Sequence, residues 1–169
     1  CAGMGTRLGI GSTKALIDID GKPLIIRQLE LLKDFDDIRI VVGYQMEKVI
    51  EVVNSYRKDI LFVFNHNYRN TGTGGSFSLA IKHAADMVVS LDGDLLVHPD
   101  DLRRVLDSDK ECVCGAIPCT EDPMLMKTLT QNGQIYGVGF SREEGEYEWT
   151  GLAQVRTARL TPGDRHVCD

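Results

Sequence analysis

Apolar and polar positions change rhythm repeatedly along the chain, and each change marks an element. Leu16–Ile19 alternates apolar and polar side chains and predicts a brief strand. Gly21-Lys22-Pro23 follows as a turn, with Pro23 suited to the first position of a helix. Leu24, Ile25, Gln28, Leu29, Leu31 and Leu32 give that helix one broad, mostly apolar face. Ile38–Val42 is a β-branched run closed by Gly43, the pattern of a buried strand. Met46, Val49, Ile50, Val53 and Tyr56 recur at helical spacing, and Ile60–Phe64 reads as the next strand. Residues 65–75 are polar and turn-rich, and Phe77, Leu79, Ile81 and neighbouring alanines predict a helix ending near Ala85. Met87–Leu91 is a strand stopping at Asp92-Gly93-Asp94, Pro99–Leu106 a helix and Cys112–Ile117 a strand.

Strand and helix thus alternate, the order that builds a parallel sheet covered by helices in an α/β/α sandwich. In such sheets ligands sit outside the carboxyl ends of the strands. The Gly-rich start of the chain, the 65–75 loop and Asp92–Asp94 all fall at such ends and are expected to converge. After Pro118 the rhythm becomes that of strands: Met126–Thr130, Ile135–Phe140 and Tyr147–Val155, with Asn132-Gly133 as a hairpin turn. This β-rich part is expected to cover the acceptor side of the cleft. At 169 residues the chain is expected to be one domain. Its Gly-rich loop opens at Cys1 with no strand before it, and no helix closes the sequence after Tyr147–Val155. A fragment without its first β-strand and its C-terminal part is therefore expected.

Composition narrows the function. Hydrophobic residues make up 43% and charged residues 26%, as in an ordinary globular domain, and no apolar run reaches the 18 residues or so of a membrane span. A net charge of −6 argues against a nucleic-acid backbone as partner. It leaves nucleotides open, because a metal and two local cations can hold phosphates in an acidic protein. Cys1, Cys112, Cys114, Cys119 and Cys168 form no CxxC pair and read as small buried hydrophobes in a reducing cytoplasm. The four histidines are scattered and make no metal-ligand pattern.

Chemistry concentrates in CAGMGTRLGIGSTKAL, residues 1–16. Gly3, Gly5 and Gly9 let backbone N–H groups line one concavity suited to a phosphate chain. Arg7 and Lys14 leave the same loop and can meet a triphosphate from different sides. Asp94, behind Gly93 at a strand end, is placed to bind a hard cation such as Mg²⁺, with Asp92 two residues earlier. A Walker loop, a GxSxG elbow and a Cys–His pair are all absent, and Leu8 stands where a dinucleotide fingerprint needs its third glycine. A cradle, two cations and one metal carboxylate without a nucleophile suit direct in-line displacement at phosphorus.

AGMGTRL followed by KAL resembles the signature of the nucleotidyltransferases that make nucleotide-activated sugars and alcohols. The family pattern is GxGxR, then PK; Arg7 and Lys14 match it, and Thr13 replaces the proline. GKPL (21–24), VVGY (41–44), GTGGS (72–76) and GD (93–94) follow in the family's order. The resemblance implies a Rossmann-like fold of the glycosyltransferase-A type, with a mostly parallel sheet. It implies transfer of NMP from an NTP to a phosphorylated small molecule, with pyrophosphate released. Arg7 and Lys14 would steady the triphosphate, Asp94 would hold Mg²⁺, and the loop with Gly5 and Thr6 would bind the nucleotide. Ala2, Gly3, Gly72 and Thr73 would read the base. The family's second metal carboxylate is expected beyond Asp169, so the fragment alone is expected to be inactive.

The resemblance leans towards phosphocholine-type cytidylyltransferases, which favours CTP, then UTP. A sugar-1-phosphate nucleotidyltransferase is the alternative, because GTG at 72–74 also resembles uridylyltransferase loops. A catalytically silent nucleotide sensor is a third reading, against which the joint retention of Arg7, Lys14 and Asp94 counts. On the acceptor side, Tyr147 and Trp149 could stack on a cationic head group or simply pack within a strand. Gly151 could let an acceptor phosphate approach the backbone.

Overall fold

A computed structural model describes residues 1–3 and 11–159. A single 3₁₀ turn, Lys14–Leu16, leads into a tiny antiparallel hairpin of β1 (Asp18–Ile19) and β2 (Lys22–Pro23). The expected strand at 16–19 is therefore half turn and half strand. Asp20 and Gly21 close the hairpin with φ of 50° and 75°. Pro23 caps helix α1 (Leu24–Leu31) from an extended conformation, one position before the helix proper. Then follow β3 (Arg39–Val42), α2 (Met46–Tyr56), β4 (Leu61–Phe64), α3 (Thr73–Ala80), β5 (Met87–Leu91) and α4 (Pro99–Leu106). Strands β6 (Cys112–Ala116), β7 (Leu125–Gln131), β8 (Gln134–Ser141) and β9 (Tyr147–Arg156) follow, and a 3₁₀ turn, Thr157–Arg159, ends the described elements.

Strands β3 and β4 pair in parallel, Arg39 opposite Leu61 through Val42 opposite Phe64. The remaining large sheet is more antiparallel than the strand–helix rhythm predicts. The reason is β9, whose ten residues lie between β5 and β6 and run against both. Strands β5 and β6 are thus parallel to each other only through an antiparallel intermediary. The start of β9 also pairs with β7, and β7 with β8 forms a long hairpin. At its tip Asn132 and Gly133 both adopt positive φ, 52° and 76°, as the Asn-Gly turn predicts.

Two apolar cores hold the fold. Ile25, Leu29, Val42, Val49 and Val53 join α1, β3 and α2, and Leu102, Val105 and Leu152 seat α4 on the large sheet. Cys112 and Cys114 pack against the second core. Burial, helped by the neighbouring Cys112, pushes the Cys114 thiol up to about 11, so little thiolate exists near neutrality. Cys119 is exposed. Iodoacetamide at pH 7.5 is expected to label Cys119 in the native protein well before Cys114, as read by peptide mass spectrometry. Equal labelling rates would show that the Cys114 environment is open.

Candidate active site

Three segments distant in sequence meet at the carboxyl ends of β3 and β5. Tyr44 N–H, just past β3, donates to Ala2 O at 3.1 Å. Gly93, just past β5, faces Cys1 so closely that a Cβ there would lie 2.7 Å from Cys1 Sγ. A side chain there would have to displace the Cys1 thiol and push the Cys1 backbone, 3.1–3.2 Å from the same Cβ position, so glycine suits the approach. Thr13 is buried and its hydroxyl donates to Cys1 O at 3.4 Å. The first and second halves of the Gly-rich segment are thereby tied together.

Across this junction Lys14 Nζ contacts Asp94 Oδ2 at 2.6 Å, eighty residues away in sequence. Both side chains remain partly open to solvent, at 35% and 43% exposure, so each can exchange its partner for a ligand. Asp92 lies differently. Its backbone N–H donates to Gly151 O at 2.8 Å, and its side chain covers Gly151, where a Cβ would fall 2.8 Å from Oδ2. Gly151 has φ of +88°, a conformation costly for any side chain. Its Cα thus abuts Asp92.

A cleft of about 900 Å³ contains this junction. Its polar lip includes Gly3, Lys14, Gly72, Thr73, Ser76 and Asp94. The cleft is also lined by Arg39, Ile40 and Val41 of β3 and by β5, with Ile25, Leu29, Phe77 and Ala80 among its apolar residues. Ala2, Gly3, Lys14, Gly72, Thr73 and Asp94 are therefore brought together as expected from the sheet-end rule. Gly5, Thr6 and Arg7 lie outside the described residues. Trp149 and Gly151 do not line the cleft. The Trp149 ring meets Phe140 edge-on at 5.9 Å, so strand packing accounts for one of its faces, and its Nε1–H is buried without a hydrogen-bond partner.

Among the described residues no group of three His, Cys, Asp or Glu side chains forms a ready-made metal cage. Mg²⁺ needs none, because it keeps waters and takes one or two carboxylates plus substrate phosphates. Asp94, exposed and already facing a cation, fits that donor set.

Gln28 and Asn65 are site-supporting residues that motif reasoning passes over. Gln28 is buried and its Nε2 donates to both Asp92 O at 2.9 Å and Leu95 O at 2.8 Å. It clamps the Asp92–Asp94 turn from beneath. The signal was a lone amide on the apolar face of α1. Asn65, buried more deeply at 2% exposure, stands where β4 gives way to the 65–75 loop. Gln28→Leu is expected to keep the fold while costing about 1 kcal/mol, because two half-buried carbonyls each lose the Gln28 donor, Asp92 O keeping Leu95 N–H. Urea titration measures that loss; a variant of unchanged stability would mean that the clamp is idle.

Fold and cleft define an α/β protein of the Rossmann-like class, with Lys14 and Asp94 among the residues lining the cleft. The chain belongs to the MobA-like NTP transferase domain family, whose sequence profile matches residues 1–134. It is 28% identical over 149 residues to the bifunctional protein GlmU of Aliarcobacter butzleri, covering 87% of this chain and 34% of that protein. The chain thus spans about a third of the length of the curated relatives it matches. Among solved structures it resembles the CTP:phosphocholine cytidylyltransferase of Streptococcus pneumoniae, with TM-score 0.68 and 23% identity over 94% of this chain and 69% of that one. The inositol-1-phosphate CTP transferase of T. maritima superposes with TM-score 0.71 and 18% identity, over 93% and 68% of the two chains. These two likenesses speak for the fold. No described helix is long and apolar enough to cross a membrane.

Proposed function

We propose that the protein transfers NMP from an NTP, CTP in first place, to a small phosphorylated alcohol, releasing pyrophosphate. The observation that supports it most is the Lys14–Asp94 pair at the lip of the cleft, beside the Gly-rich segment and Gly72–Thr73. Lys14 would leave Asp94 to meet the triphosphate, and Arg7 would approach from the same loop. Asp94 would hold Mg²⁺, which when bound offsets charge on the phosphates. Gly72 and Thr73, at the start of α3, would meet the base with Ala2 and Gly3. The acceptor phosphate attacks the α-phosphorus in line, the α–β bond breaks, and pyrophosphate carries away the electron pair. The likeness to phosphocholine and inositol-phosphate cytidylyltransferases supports a CTP-dependent reading at the level of fold.

The direct experiment offers labelled CTP, UTP and dTTP with phosphocholine or a sugar 1-phosphate, with and without Mg²⁺. Mg²⁺-dependent pyrophosphate release with CTP and phosphocholine is expected. Release only with UTP or dTTP and a sugar phosphate would move the protein to the sugar class. No release with any pair from the intact protein would point to a nucleotide-sensing relative. Trp149 and Gly151 are carried here as acceptor-side candidates. Trp149→Ala is the check, and an unchanged acceptor KM would remove the aromatic from that role.

The apolar inner cleft supports a further strand in the same single domain. Among the described strands, β3 pairs only with β4, and β5 only with β9, so one edge of each faces the cleft. Both strands run towards residues 1–2, as the Tyr44–Ala2 bond and the Gly93–Cys1 contact require. A strand joined to Cys1 would lie parallel to both and pair with their open N–H and C=O groups. An apolar five-residue extension before Cys1 is expected to raise the Tm by several degrees; a Pro-containing control should not, and equal effects would contradict the slot.

A further inference from the structure

We infer that Asn65 positions the base-contacting loop and so sets which nucleotide base is accepted; this rests on the reading of Gly72–Thr73 given above. The side chain is buried at the end of β4, and its backbone is fixed first. Asn65 N–H donates to Val42 O at 2.9 Å, extending the β3–β4 ladder by one step. The amide then reaches three points of the following loop. Nδ2 donates to Thr71 Oγ1 at 2.9 Å and to Ser76 Oγ at 3.0 Å. Oδ1 accepts from Asn67 N–H at 3.0 Å.

These three points bracket Gly72–Thr73. Thr71 lies immediately before it, and Ser76 lies in the first turn of α3, where its N–H donates to Gly72 O at 3.3 Å. The loop is closed further by Thr71 Oγ1 donating to Asn67 O at 3.1 Å and Asn70 Nδ2 donating to Asn67 Oδ1 at 2.8 Å. One buried amide is therefore the hub through which the sheet holds both flanks of the dipeptide. Two donors towards hydroxyls and one acceptor towards a backbone N–H are what an amide carries; a carboxylate of the same size has no donor. The triphosphate side of the cleft, Lys14 and Asp94, makes none of these bonds. Loss of the hub should thus disturb the choice of base while leaving phosphate binding intact.

The test compares wild type with Asn65→Asp, measuring Kd for CTP, UTP, GTP, ATP and dTTP and for inorganic triphosphate, each with Mg²⁺. Wild type is expected to prefer one base. In Asn65→Asp that preference should fall at least about tenfold, with triphosphate affinity unchanged within about twofold. Thr71→Val and Ser76→Ala each remove one of the Asn65 amide's bonds, Thr71→Val together with the Thr71–Asn67 bond, and should shift the preference in the same direction by less, which keeps the test decisive if Asn65→Asp folds poorly. A preference retained in all three variants overturns the role of Asn65 alone. An equal loss for nucleotides and inorganic triphosphate overturns it in favour of general support of the fold. A wild-type protein indifferent to the base overturns it together with the base-reading assignment of Gly72–Thr73.

Discussion

Asp94→Asn is expected to lower kcat/KM for nucleotidyl transfer by about 10³-fold or more while the protein stays folded. The amide keeps the size of the carboxylate but gives up the charge that faces Lys14 across 2.6 Å. A hard cation loses its charged donor, and stabilisation of charge at the reacting phosphate is worth several kcal/mol, about a decade of rate per 1.4 kcal/mol. Stability should barely move, because a partly exposed ion pair contributes about 0–1 kcal/mol. Steady-state kinetics against Mg²⁺ concentration, beside a thermal melt, separates the two effects. A variant that kept wild-type, Mg²⁺-dependent turnover would remove Asp94 from the metal site.

Lys14→Met should have two effects of opposite sign. Affinity for the NTP should fall by about 30-fold or more, since a charge-assisted bond to phosphate at a partly desolvated lip contributes about 2 kcal/mol. Binding of Mn²⁺ in the absence of nucleotide should instead tighten, because the ammonium no longer occupies the Asp94 carboxylate. Calorimetry for the nucleotide and electron paramagnetic resonance for Mn²⁺ give the two readouts. A variant that weakened both, or neither, would contradict the exchange of partners at Asp94.

Much of the site was legible because its parts carry local signatures. Gly93 and Asp94 follow a short, mostly apolar strand, and Gly72–Thr73 opens a helix after a turn-rich stretch, so the sheet-end rule brings them together. The replacement of the pattern's proline by Thr13 also has a physical reading. Thr13 has φ of −67° and ψ of 139°, the backbone a proline would impose, so Lys14 leaves the chain in the same setting. What the sequence hid is long-range. Nothing local shows that Tyr147–Arg156 enters the sheet between β5 and β6 and reverses the pairing there. Nor does a local pattern show that Gly151 abuts Asp92, or that Trp149 packs on Phe140. Gln28 and Asn65 escaped because single amides carry no motif; their meaning lies in bonds that reach 64 and 67 positions from Gln28 and up to 11 from Asn65. Their clue was burial, a polar group standing where the pattern calls for an apolar one or at the last step of a strand.

Lys14 and Asp94 are proposed to form a site that takes a nucleoside triphosphate together with Mg²⁺. Calorimetric titration of the intact protein with CTP, UTP, GTP, ATP and dTTP, each with and without Mg²⁺, tests it most directly. Saturable binding of one base, strengthened by Mg²⁺ and losing that Mg²⁺ dependence in Asp94→Asn, is the predicted result. Binding of no nucleotide, or binding indifferent to both Mg²⁺ and Asp94, would contradict it.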